Sequence, residues 1–140
     1  DESIRGREID SFKETYSKID SSIALLCVCG NHDVGNTPTT NTISNYKKDF
    51  GDDYFSFYIK GVKGIVLNSN LLYDPSGAID EYEKQNVWLQ NELASVDHTK
   101  TRVIVFMHHP LFLKFNCDSR DFCDGRSIAL NRWMIPKYQK

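Results

Sequence analysis

Two apolar runs pass without a break into polar, histidine-bearing motifs. Residues 23–29, Ile-Ala-Leu-Leu-Cys-Val-Cys, lead into Gly30-Asn31-His32-Asp33, and residues 103–107, Val-Ile-Val-Phe-Met, lead into His108-His109-Pro110. Uninterrupted apolar runs of strand length predict strands covered on both faces, as in the parallel or mixed sheets of α/β folds. Both are far shorter than the roughly 20 residues that cross a bilayer, so neither is a membrane span.

The rest of the chain fills in the elements between these runs. Ile9, Phe12, Tyr16 and Ile19 recur at helical spacing among charged residues and predict an amphipathic helix ending near Asp20. Thr37-Pro38-Thr39-Thr40 carries loop and helix-start signals ahead of a short helix over residues 43–50. Residues 54–59 and 65–69, joined by Gly61-Val62-Lys63-Gly64, predict a hairpin. Tyr82, Val87, Trp88, Leu89, Leu93 and Val96 predict a helix over about residues 79–95, and residues 102–107 predict the next strand. Alternating helices and strands, with no repeat or linker, predict one α/β domain over residues 1–140 with a mainly parallel sheet.

Charge and cysteine content narrow the function. Seventeen Lys and Arg against nineteen Asp and Glu give a formal charge of -2. That balance holds no basic stripe for phosphate backbones and argues against nucleic acid as a partner. The chain opens on a charged stretch from Asp1 with no signal-peptide pattern, and Cys27, Cys29, Cys117 and Cys123 are too few and too uneven for a disulfide scaffold. A reducing, cytoplasmic setting is expected, with no membrane partner.

Chemistry concentrates at the two strand ends, where ligands bind in open α/β sheets. Gly30 permits a tight strand exit, Asn31 offers a carbonyl oxygen, and His32 and His108 offer imidazole nitrogens, donor types that suit a divalent transition metal. Each motif alone also reads as plain turn chemistry, since Asn and Asp favour turns. Their pairing at the ends of two apolar strands in one chain favours the metal reading.

Gly30-Asn31-His32-Asp33 followed by His108-x-Pro110 resembles the middle motifs of the calcineurin-like metallophosphoesterases. The resemblance extends over residues 23–113 through Gly35-Asn36-Thr37-Pro38-Thr39, Gly51-Asp52-Asp53-Tyr54-Phe55-Ser56-Phe57, Val66-Leu67-Asn68-Ser69, Gln85-x-x-Trp88-Leu89 and Val105-Phe106-x-His108-x-Pro110-Leu111-Phe112. It implies a sandwich of mixed β-sheets flanked by helices, and hydrolysis of phosphomonoesters, including phosphoserine and phosphothreonine in proteins. Two metal ions, drawn from iron, manganese and zinc, would activate the attacking hydroxide. By motif position, Asn31 and His108 would ligate one ion and His32 would act on the phosphate and the leaving alkoxide. Asp33 would have a local structural role and His109 an accessory one at the pocket rim.

The family's Asp-x-His and Gly-Asp-x-x-Asp upstream motifs and its Gly-His-x-His downstream motif do not occur in this sequence. They would supply the other metal's ligands and the bridging carboxylate, so the chain is expected to be an internal piece of a phosphatase, a partial domain incomplete at both ends and inactive alone. The alternative is a noncatalytic binding module on the same fold, using the polar loop over residues 116–125. A structural zinc site on the four cysteines is disfavoured by their C-x-C and C-x5-C spacings.

Overall fold

The computed structural model describes residues 2–110. At its centre Phe55–Ile59 (β1) pairs antiparallel with Val62–Val66 (β2), which pairs in parallel with Arg102–Phe106 (β3). The sheet is mixed, in the order β1-β2-β3, and the helices Glu2–Tyr16 (α1), Asn31–Val34 (α2), Thr40–Phe50 (α3), Ser69–Tyr73 (α4) and Ile79–Ala94 (α5) surround it. None of these helices is long and apolar enough to cross a membrane.

The hairpin turns two residues earlier than the glycine spacing predicts. Lys60 and Gly61 both take positive φ, 46° and 82°, which is the geometry of a type I′ turn whose twist matches the strands. Val62 and Lys63 therefore belong to β2, and Gly64 lies opposite Phe57 in the ladder. At the far end β2 stops at Val66, and the residues predicted to continue the strand become the Asn68 cap and first turn of α4.

Helix ends follow local hydrogen bonds. Thr39 and Thr42 cap α3 reciprocally, each hydroxyl accepting the other's backbone N–H, at 3.2 and 3.0 Å. The first helix ends at Tyr16 rather than near Asp20, because the Tyr16 carbonyl accepts the Ile19 N–H in a tight turn. Phe12 packs edge-on against Phe50, ring centroids 5.4 Å apart, and docks α1 on α3. Beneath them Cys29, Val34 and Tyr46 form one buried cluster, and Ile43, Leu71 and Ala78 form a second.

One prediction is corrected. Residues 24–30 form no regular element and join no ladder among the described residues, and Ile23 is 62% exposed, with Leu25, Leu26 and Val28 also exposed. A strand with two apolar faces is stabilised by backbone partners at its edges and packed layers above and below. Here a cleft of about 470 Å³ stands open between the segment and α1, and Ile104, Val105 and Phe106 of β3 are themselves exposed.

Candidate functional site

The first motif is held as a rigid corner. Gly30 ends the 24–30 segment with φ -111° and ψ 177°, and the chain then closes into the single helical turn α2. The Asp33 carboxylate accepts the Gly30 N–H at 2.7 Å, and the Asn31 carbonyl accepts the Gly35 N–H at 2.9 Å. The Asn31 amide donates to Asn36 Oδ1 at 3.0 Å, which leaves its oxygen facing outward.

That oxygen meets the second motif. His108 Nε2 lies 3.0 Å from Asn31 Oδ1, across 77 residues of sequence. An amide oxygen only accepts, so Nε2 carries the hydrogen in this contact. The approach depends on Gly30, since a Cβ there would stand 3.1 Å from the His108 ring.

The other candidate residues face elsewhere. His109 is half-buried, its Nδ1 2.9 Å from Ser69 Oγ and its ring stacked on Tyr73 at 5.0 Å and 7°. Burial first, and then the neighbouring His108, push its pKa down, so its ring favours the neutral form. His32 is exposed; Arg5 reaches its backbone carbonyl at 3.4 Å, and its ring lines the cleft beneath α1. His108 and His109 line a separate concavity with Val28, Val105, Met107 and Pro110.

Sequence reading missed the buried polar layer beneath the motifs. Asp53, Asn68, Ser69, Asn70 and Gln85 are all at most 2% exposed. Gln85 brackets the Asn68 backbone, accepting its N–H at 2.8 Å and donating to its carbonyl at 3.3 Å. Asn68 donates to Asp53 Oδ2 at 2.9 Å, and Lys47 pairs with Asp53 Oδ1 at 2.9 Å. The available signal was the polar run Asn68-Ser69-Asn70 directly after apolar Ile65-Val66-Leu67, the same pattern that marks the other two strand ends.

Among the described residues no three His, Cys, Asp or Glu side chains gather as a metal cluster. Cys27 and Cys29 are free thiols, and burial above all pushes the Cys29 thiol up to about 12, leaving it protonated and inert. Cys117, Cys123 and the polar loop over residues 116–125 lie outside the described residues.

No family model matches the chain, and no solved structure matches it significantly. Curated proteins do. Over 120 residues the chain is 41% identical to the zebrafish (Danio rerio) serine/threonine-protein phosphatase CPPED1, covering 85% of this chain and 39% of that protein. The human protein of the same name is 34% identical over 96% of this chain and 43% of its own length. Purple acid phosphatase 15 of Arabidopsis thaliana is 28% identical over 72% of this chain and 20% of its own length. The chain thus spans well under half the length of the curated relatives it matches. On this similarity, the chain resembles part of a calcineurin-like phosphoesterase.

Proposed function

We propose that the protein containing this chain is a metal-dependent phosphoesterase that hydrolyses phosphomonoesters, with phosphoserine and phosphothreonine in proteins as the substrate class. Its relatives are named as serine/threonine-protein phosphatases and purple acid phosphatases, which supports phosphoester hydrolysis. The observation that carries the metal reading is the 3.0 Å approach of Asn31 Oδ1 and His108 Nε2. Neighbouring ligands on an octahedral ion with bonds of about 2.1 Å stand about 3.0 Å apart, so the pair fits two positions around one ion once the His108 hydrogen moves to Nδ1 and frees Nε2.

On this reading Asn31 and His108 hold one of two ions drawn from iron, manganese and zinc, with the remaining donors contributed from outside the described residues. When bound, such ions lower the pKa of a water and neutralise charge on phosphoryl oxygens. His32 hydrogen-bonds the phosphate and protonates the leaving alkoxide or stabilises its charge, a role that requires its exposed side chain to turn from the cleft beneath α1 toward the His108 concavity. Asp33 keeps the corner closed through Gly30, and His109 lies at the rim. The free Cys27 and Cys29 thiols fit a reducing, cytoplasmic setting.

Hydrolysis of p-nitrophenyl phosphate and of a phosphoserine peptide by the whole protein tests the reading. His32→Ala is expected to lower turnover about 10²–10⁴-fold while the metal content stays that of wild type. Unchanged hydrolysis in this variant removes His32 from the mechanism.

A further inference from the structure

Three consecutive polar side chains, Asn68, Ser69 and Asn70, are 0% exposed at the point where β2 hands over to α4. Burying polar groups costs about 1–3 kcal/mol each unless they are paired, and Asn68 has one such partner as the cap of α4, accepting the Asn70 N–H at 3.2 Å. Ser69 and Asn70 bond to the residues beside the two motifs, whereas Asn68 bonds to Asp53, Gln85 and Asn70. Ser69 Oγ accepts the His109 backbone N–H at 3.0 Å and lies 2.9 Å from His109 Nδ1, immediately after His108. Asn70 Nδ2 donates to the Cys29 carbonyl at 3.4 Å, immediately before Gly30, and to Asn68 Oδ1 at 3.1 Å.

Two details show that this turn is arranged around the motifs. Asn70 turns its amide nitrogen to the Cys29 carbonyl while its own buried Oδ1 finds no hydrogen-bond partner among the described residues. The Ser69 oxygen already accepts from the His109 backbone, so its hydroxyl hydrogen is free for His109 Nδ1. One hydroxyl thereby fixes both the backbone and the ring of the residue beside His108. Next to it the Leu67 N–H bonds the Phe106 carbonyl at 3.0 Å and joins the ends of β2 and β3.

We propose that the Asn68-Ser69-Asn70 turn, with Ser69 at its centre, is a positioning clamp that holds the Gly30-Asn31 corner and the end of β3 in register, so that Asn31 and His108 meet. The inference rests on reading that pair as metal ligands. Ser69 and Asn70 touch neither metal nor substrate; they act through Cys29 and His109.

The test is Mn²⁺ titration of the whole protein followed by electron paramagnetic resonance, with thermal unfolding in parallel. Ser69→Ala is expected to weaken Mn²⁺ binding roughly 10–100-fold, the range seen when a partner that orients a metal ligand is removed. Its unfolding midpoint should fall modestly, because the His109 N–H loses its acceptor, with the protein still folded at the titration temperature, and Ser69→Thr, which restores a hydroxyl, should recover much of the affinity. Asn31→Ala and His108→Ala are the controls and should lose the site. If they bind Mn²⁺ as wild type does, the metal reading fails and the clamp with it. If they lose the ion while Ser69→Ala keeps wild-type affinity, the clamp is overturned and the metal reading stands. Should Ser69→Ala not fold, Asn70→Ala, which removes the bond to the Cys29 carbonyl, reads the same quantity: a tenfold or greater loss supports the clamp, and wild-type affinity overturns it.

Discussion

Asp33 shows how a single side chain can matter without touching chemistry. Its carboxylate holds the Gly30 N–H at 2.7 Å and closes the corner that presents Asn31. Asp33→Ala opens that bond and is expected to cost about 1 kcal/mol in urea unfolding, the usual scale of a lost helix cap. Asp33→Asn, which keeps an acceptor, should cost less; equal losses in the two variants would show that the bond contributes nothing. At this scale the sequence showed two motifs, each following an apolar run, and the Asn31 and His108 side chains that the family resemblance singles out stand 3.0 Å apart. The attachment of His109 to Ser69 was not legible, because it depends on the parallel pairing of β2 with β3, which brings residues 40 positions apart together.

Among the elements, β2 and α5 are joined by an ion pair that the sequence placed in a turn. Lys63 is 2% exposed, and its ammonium reaches Glu92 Oε2 at 2.8 Å and the Glu92 carbonyl at 2.9 Å. The Lys63 bond, followed by that of the Ser56 hydroxyl, holds the Glu92 carboxyl below the usual glutamate range. A carboxyl whose pKa is lower folded than unfolded stabilises the fold above the unfolded value, and the contribution is lost as pH falls through the folded one. Stability should therefore decline below the ordinary glutamate range, and Glu92→Gln should flatten that acid limb in urea midpoints taken from about pH 7 to pH 3. An acid limb as steep as that of wild type would rule Glu92 out as its source. The misplaced turn and the unpaired 24–30 segment share a cause. Glycine spacing and apolar runs report local preference, whereas turn register and strand pairing are set by the backbone that lies alongside. The long helix α5, with its apolar residues at sustained helical spacing, was read within one residue of its observed ends.

In the molecule as a whole, the concavity at His108 opens beside exposed apolar residues from two sources, Val28 of the 24–30 segment and Val105 and Phe106 of β3. The segment before Gly30 and the end of β3, far apart in sequence, converge there, and the buried Asn68-Ser69-Asn70 turn bonds to both. The family resemblance was readable because strand-end chemistry is written in contiguous motifs. The polar layer beside those motifs was not, because its members come from β1's approach, α3, α4 and α5 at once. The decisive measurement is phosphate release from p-nitrophenyl phosphate by the whole protein, before and after metal removal by a chelator and Mn²⁺ restoration, for wild type and His108→Ala. Hydrolysis that disappears with the metal, returns with Mn²⁺ and is lost in His108→Ala is the expected outcome. Hydrolysis indifferent both to chelation and to His108→Ala would contradict a metal-dependent phosphoesterase built on this pair.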